Sequence, residues 1–120
     1  GSEMCIRDSP KTIRATMGSI FRVPFVYVPD LAPVLEQMHA KGIHTYAAHL
    51  KGQEYYDSFS FREPTAFLIG NEGNGLSKEI SDQAGQYLKI PMEGRVESLN
   101  ASIAAALLMY EAHRQRSARL

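Results

Sequence analysis

The chain has 120 residues, of which 44% are hydrophobic and 22% charged, and this composition is typical of one soluble globular domain. Thirteen Lys and Arg balance thirteen Asp and Glu, so the net charge attracts neither nucleic acid nor anionic lipid, and such binding requires a local patch. The longest nearly apolar run, Ala101 to Tyr110, is about half of the roughly 20 residues that a membrane helix requires, which predicts no membrane span. A single cysteine, Cys5, forms no internal disulfide and favours the reducing cytoplasm.

The first nine residues, GSEMCIRDS, contain no hydrophobic segment and therefore form neither a secretory signal nor an amphipathic targeting helix. The string resembles the in-frame translation of a sequencing-library adapter. We therefore expect residues 1–9 to be a non-native tail and residues 10–120 to be a piece of a longer domain. The alternative is an ordinary N-terminus with an initiator at Met4.

The segment from Asp30 to Ala48 predicts a helix followed by a strand. Asp30 suits an N-cap, and the apolar residues after it repeat at the spacing of one helix face before Gly42. These apolar residues are Leu31, Val34, Leu35 and Met38. Ile43 to Ala48 is a strand candidate. The polar residues from His49 to Glu63 predict a loop that its aromatic side chains partly bury, namely Tyr55, Tyr56, Phe59 and Phe61.

Two further strands and two helices are predicted after that loop. Ala66 to Ile69 is continuously apolar, as in a strand covered on both faces, and Tyr87 to Ile90 is the next strand. A short helix beginning near Ser77 separates them. A last helix, from near Ser98 to about Arg116, is apolar nearly all round, which predicts that it is buried. The alternation predicts an α/β fold with a mainly parallel sheet and flanking helices.

The segment FLIGNEGNGLS, residues 67–77, is a glycine-rich turn that leaves a strand and opens a helix, where α/β sheets bind ligands. Leu76 stands where a phosphate loop has its lysine, and Glu72 repels phosphate, so an NTPase is disfavoured. A carboxylate and an amide beside glycines better suit a neutral or cationic ligand. A purely structural turn is equally consistent with the spacing.

The segment IPMEGRVESLNAS, residues 90–102, places two polar side chains at the start of the last helix. The simpler interpretation is that Ser98 is an N-cap and that Asn100 satisfies first-turn backbone groups. The alternative is that both side chains face a ligand.

Together, FLIGNEGNGLS and IPMEGRVESLNASIAAALLMYE resemble the second and third motifs of the SpoU, or TrmH-like, branch of the knotted SPOUT RNA methyltransferases. Residues 14–22, RATMGSIFR, resemble the stretch that precedes them, so the resemblance covers residues 10 to about 113. It implies a C-terminal trefoil knot and a homodimer. It also implies transfer of a methyl group from S-adenosyl-L-methionine to a ribose 2′-hydroxyl of structured RNA, either tRNA or rRNA, without a metal.

The resemblance also assigns roles to individual residues. The positions that match the cofactor-binding residues are Gly70, Ile90, Met92 and Leu99. The positions that match the polar catalytic residues are Glu72, Ser98 and Asn100. Arg14 and Arg22 lie in a basic stretch that holds no acidic residue, and we expect them to contact RNA.

One part of the family pattern has no counterpart in this sequence. It is the first motif, Asn-x-Gly-x-x-x-Arg, whose arginine is thought to help activate the hydroxyl. We therefore expect the first strands of the sheet and this arginine to be encoded upstream of Pro10, and the 120-residue chain to be inactive by itself. The alternative class is a non-catalytic protein of the same fold that binds RNA or the cofactor.

Overall fold

Three short strands form a parallel sheet whose central strand is β1 (His44–Ala48). The computed structural model describes residues 23–48, 54–70, 76–90 and 101–117. Strands β2 (Thr65–Leu68) and β3 (Gln86–Leu88) pair with β1 on either side, in the order β2-β1-β3. Tyr46 lies opposite Phe67 of β2 and Gln86 of β3. The predicted α/β class and the predicted parallel sheet are confirmed.

Helices cover both faces of this sheet. The helices α1 (Ala32–Ala40) and α2 (Lys78–Gln83) pack on one face, and α3 (Ala101–Ser117) packs on the other. Because successive side chains of a strand point to opposite faces, Ala47 joins the first core and Tyr46 the second. The buried residues of the first core are Leu35, Ala47, Leu68 and Ile80. Those of the second core are Tyr46, Phe61, Leu88, Leu108 and Ala112.

The first two helices are capped in different ways at their amino ends. The helix predicted to begin near Ser77 is confirmed as α2, and Ser77 caps it, because its Oγ accepts a hydrogen bond from the Ile80 amide at 3.2 Å. The predicted cap of α1 is wrong, because Leu31 holds the N-cap position. Asp30 instead accepts a hydrogen bond from the Ala32 amide at 3.1 Å. Pro33 in the first turn has no amide hydrogen, which lowers the need for a capping side chain.

The prediction that the last helix is buried is wrong for most of its surface. Only one stripe of α3 is buried, and it consists of Ala104, Leu108, Glu111 and Ala112. Other apolar side chains of α3 are exposed, namely Ile103, Leu107, Met109 and Tyr110. The physical reason is that the sheet and the β1–β2 connection contact α3 from one side only. The apolar composition of the helix does not show which of its sides are covered. Within the described residues, no helix is long and apolar enough to cross a membrane.

The residues 54–63, which we call the strap, connect the two ends of the sheet. At one end, Tyr55 forms a parallel bridge with Lys89, which directly follows β3. A short 3₁₀ turn, Tyr56–Ser58, comes next. At the other end, residue 63 precedes Pro64, whose carbonyl accepts a hydrogen bond from the His44 amide at the start of β1. The strap therefore runs along the α3 face, from the carboxyl end of β3 to the amino end of β1.

Candidate functional site

The carboxyl ends of the three strands lie at one edge of the sheet, and two predicted site residues lie there. Gly70 follows the end of β2, and Ile90 follows the end of β3. Because β1 separates them, the two segments are two strand spacings apart, roughly 10 Å. The structure thus brings Gly70 and Ile90 to opposite sides of the end of β1.

The surface between these two residues is apolar and incompletely covered. Ala48, Ile69 and Ile90 are partly buried and pack against the core that contains Tyr46 and Leu88. Gly70 adds backbone groups without a side chain beside them. This combination suits a ligand with an apolar planar ring whose polar edge contacts backbone groups.

The strap holds the segment that carries Ile90. The Lys89 amide donates to the Glu54 carbonyl at 2.9 Å, and the Tyr56 amide donates to the Lys89 carbonyl at 2.8 Å. The Lys89 ammonium lies 5.9 Å from the centroid of the Tyr55 ring, a cation–π contact. Sequence reasoning missed this contact, since the only available signal was an aromatic pair within a polar loop.

A polar cluster at the end of α3 was also missed. The Arg114 guanidinium donates to both carboxylate oxygens of the buried Glu111, at 2.7 and 2.9 Å, and the Gln115 Nε2 donates to Glu111 Oε2 at 2.8 Å. The hydrogen bond from Arg114 holds the pKa of Glu111 below its ordinary value, although burial opposes this shift. The i,i+3 and i,i+4 spacing of these residues is the signal that points to the cluster.

We expect Glu111→Gln to destabilise the chain in a pH-dependent way. A carboxyl group whose pKa is lowered by folding stabilises the native state above its unfolded pKa, and this contribution is lost as the pH falls through the folded pKa. Near neutral pH the variant should melt a few degrees below the wild type, because Arg114 is mostly exposed and its ion pair is partly screened.

Thermal melts of both proteins across the acid range measure this effect. The difference in melting temperature should shrink at pH values below the ordinary pKa of a glutamate. As a control, Glu36→Gln changes an exposed carboxylate on α1 and should shift the melting temperature little. A difference for Glu111→Gln that is constant across the acid range would contradict the prediction.

A separate groove of about 480 Å³ lies between β2 and α3. Thr65, Phe67 and Ile69 form its strand side, and Met109 and His113 are among the residues that α3 contributes. Neither Gly70 nor Ile90 lines it. The groove is therefore distinct from the predicted cofactor site, although Ile69 borders both.

Comparison with known proteins decides the family. A model of the SpoU rRNA methylase family matches residues 2–110, which is most of the chain. The chain belongs to the SpoU rRNA methylase family. The resemblance that the two motifs indicated is confirmed.

Similar SpoU-family proteins are known from several bacteria. YacO of Bacillus subtilis, named as a TrmH-family tRNA/rRNA methyltransferase, is 38% identical over 104 residues, which are 87% of this chain and 42% of YacO. The structure of AviRb from Streptomyces viridochromogenes in complex with AdoMet is 38% identical, with a TM-score of 0.81 over 92% of this chain and 44% of that one. A structure concerned with 2-OH methylation of C/U34 on tRNA is 34% identical, with a TM-score of 0.81 over 93% of this chain and 72% of that one. This SpoU-family chain thus spans about two fifths of the length of the curated relative.

Most of the predicted site residues of this SpoU-family chain lie outside the described residues. They are the catalytic residues Glu72, Ser98 and Asn100, the cofactor-binding residues Met92 and Leu99, and the RNA-contacting residues Arg14 and Arg22. Their roles stay predictions. Within the described ranges, no group of three or more His, Cys, Asp or Glu side chains is arranged to hold a metal ion.

Proposed function

We propose that this chain is the cofactor-binding part of a SpoU-family enzyme that methylates a ribose 2′-hydroxyl of tRNA or rRNA with S-adenosylmethionine. The observation that carries the proposal is the placement of Gly70 and Ile90 beside the end of β1, on an apolar and partly open edge. Support comes from AviRb, which is solved with AdoMet, and from the neighbour concerned with 2-OH methylation on tRNA.

The residues at this edge fit the cofactor chemically. Gly70 allows close approach of the adenosine to the backbone, and Ile90 offers apolar contact to the purine. Met92 and Leu99 complete the proposed pocket. When bound, S-adenosylmethionine supplies an electrophilic methyl group on a positively charged sulphur.

Glu72, Ser98 and Asn100 are proposed to organise the reacting groups. The Glu72 carboxylate favours a cationic ligand, and the two polar side chains of Ser98 and Asn100 orient the attacking hydroxyl. An in-line displacement depends on such positioning more than on covalent help. Activity is also proposed to require the arginine of the first motif, since a guanidinium can hold a phosphate and stabilise developing charge on the hydroxyl oxygen.

Calorimetry and methyl transfer from radiolabelled cofactor test this proposal together. The 120-residue chain should bind S-adenosylmethionine and transfer no label to bulk RNA, whereas a chain extended to include the first motif should transfer it. In the extended chain, Asn100→Ala should lower the rate about a hundredfold with little change in cofactor affinity. Binding that is absent in the 120-residue chain, or label transfer by that chain alone, would contradict the proposal.

Two further features of the whole protein are proposed on the family resemblance. One is a trefoil knot formed around the start of α3, which is supported by TM-scores of about 0.8 to SpoU-family structures. The other is that residues 10–120 belong to a longer catalytic domain in the cytoplasm, while residues 1–9 are a non-native tail. Sequencing the locus upstream of Pro10 tests the second feature, and a native start codon near Pro10 would contradict it.

A homodimer through α3 is proposed on the exposed apolar stripe of that helix. Ile103, Leu107 and Tyr110 follow the i, i+4, i+7 spacing of one face, and Tyr110 is 74% exposed. Leu107→Glu should convert a dimer into a monomer by light scattering, because it places a charge on the apolar face. Gln37→Glu, on the exposed side of α1, should leave the mass unchanged. Equal masses for wild type and Leu107→Glu would contradict this interface.

A further inference from the structure

Two side chains at the end of α3 hold the backbone of the strap. The Gln115 Nε2 donates to the Phe59 carbonyl at 2.9 Å, and the Phe61 amide donates to Gln115 Oε1 at 2.6 Å. The Arg116 guanidinium donates to the Phe61 carbonyl at 2.8 Å and to the Glu63 carbonyl at 2.9 Å. Gln115 and Arg116, which we call the clamp, thus fix the half of the strap that lies furthest from the carboxyl edge.

The buried carboxylate of Glu111 fixes the orientation of the Gln115 amide. Glu111 Oε2 accepts from Gln115 Nε2, so the amide nitrogen faces Glu111 and Phe59 while the oxygen faces the Phe61 amide. A flipped amide would place its oxygen against two acceptors. The clamp is therefore preorganised in one state, which is a property that a positioning group requires.

The strap connects the fixed Gln115 amide to the carboxyl edge of the sheet, where the cofactor site is predicted. Only Asp57 and Ser58 separate Phe59 from Tyr56, whose amide bonds the Lys89 carbonyl. These two residues lie in the 3₁₀ turn, and the Ser58 amide donates to the Tyr55 carbonyl at 3.0 Å. Since a hydrogen-bonded turn leaves little slack, a shift of Phe59 is carried to Tyr56 and Lys89.

We propose that Gln115 is a positioning residue for the cofactor site, because its amide sets the strap and thereby holds the Lys89–Ile90 segment in place. The inference rests on the proposed function, in which Ile90 borders the cofactor. The same helix begins directly after Asn100, so α3 connects the strap to the segment that carries the predicted catalytic residues. Displacement of the strap thus affects cofactor affinity from a distance, without contact between Gln115 and the ligand.

The test combines amide exchange with calorimetry on the 120-residue chain. Gln115→Glu keeps an acceptor for the Phe61 amide and replaces the donor to Phe59 and Glu111 with a repelling oxygen. We expect hydrogen exchange at the Tyr56 and Lys89 amides to rise about tenfold and S-adenosylmethionine affinity to fall by a similar factor, because the two part-buried hydrogen bonds that Gln115 Nε2 donates are lost. Gln115→Met, which removes all three side-chain hydrogen bonds of Gln115, should have at least the same effect at these two amides.

Thr45→Val is the control for a general loss of stability. Thr45 Oγ1 accepts from the Gly85 amide at 2.8 Å and is bonded to His39 Nε2 at 2.8 Å, on the opposite face of the sheet. This variant should melt earlier than the wild type because the Gly85 amide loses its partner. Its cofactor affinity should be unchanged. Its amide hydrogen exchange at Tyr56 and Lys89 should rise by no more than the loss in its free energy of unfolding accounts for.

The outcomes separate the inference from the proposed function. The coupling between Gln115 and the Lys89–Ile90 segment would be overturned if amide hydrogen exchange at Tyr56 and Lys89 is no faster in the Gln115 variants than in Thr45→Val. An affinity loss that is no larger than in Thr45→Val would overturn the positioning role. If the wild-type chain binds no S-adenosylmethionine, the proposed function fails, and the exchange measurement decides the coupling by itself.

Discussion

Gly70→Val is expected to abolish S-adenosylmethionine binding while the chain remains folded. Gly70 lies beyond the last residue of β2, so a side chain there does not disturb the pairing of that strand with β1. A branched side chain at this position occupies the space through which a ligand reaches the backbone at the edge of the sheet. The expected loss is complete because the same edge is proposed to hold the adenosine from both sides of β1.

Calorimetry on folded variants measures this effect. Thr65→Val introduces the same side chain at the amino end of β2, far from the carboxyl edge, and should leave the cofactor affinity unchanged. Circular dichroism and thermal melts establish that both variants fold. Unchanged affinity in a folded Gly70→Val chain would remove Gly70 from the cofactor site.

Phe61→Ala is expected to lower the free energy of unfolding by about 3–5 kcal/mol, which is the usual cost of deleting a fully buried aromatic ring. Phe61 is 0% exposed and packs edge-on against Tyr46 and Phe67, with ring centroids 5.0 and 4.9 Å apart. The ring joins the strap to β1 and β2. The cavity left by the ring is bordered by the strap, β1 and β2. The surrounding side chains therefore cannot fill it without moving the sheet.

Chemical denaturation compares this variant with a matched aromatic deletion. Phe25 is 56% exposed, and Phe25→Ala should cost less than about 1 kcal/mol. If Phe61→Ala does not fold, Phe61→Leu keeps most of the buried volume and should still be measurably less stable than the wild type. Equal stability of the Phe61 and Phe25 variants would show that the strap is not part of the core.

The strands were predictable because each one carries a local signal. The apolar run Ala66 to Ile69 overlaps β2, which begins and ends one residue earlier and has only Leu68 buried. The third strand ends earlier than predicted, since residue 89 leaves the pairing with β1 and bridges Tyr55 instead. The earlier end of this strand depends on the bridge between Tyr55 and Lys89, which lie far apart in the sequence. The periodicity of apolar residues within a strand does not predict such a contact.

The placement of Gly70 and Ile90 at one edge of the sheet was predictable from the strand ends, whereas the tertiary contacts around them were not. Gly70 follows a predicted strand and Ile90 ends one, and parallel strands place their carboxyl ends at one edge. Gln115 gave no such signal, because its partners are backbone groups of the strap rather than a motif. The exposed stripe of α3 was missed for a related reason, since an apolar sequence does not state whether a neighbour covers it.

The long sequence separation between the clamp and the strap has a consequence for the order of folding. Gln115 and Phe59 are 56 residues apart, and Arg116 and Glu63 are 53 apart. Contacts that close such long loops tend to form late, because closing the loop costs conformational entropy before the contacts can compensate for it. We therefore expect the contacts between α3 and the strap to form late, and substitutions at Gln115 to speed unfolding more than they slow folding. On this expectation a partly folded chain lacks the clamp, and the strap that contacts the Lys89–Ile90 segment is then held less firmly.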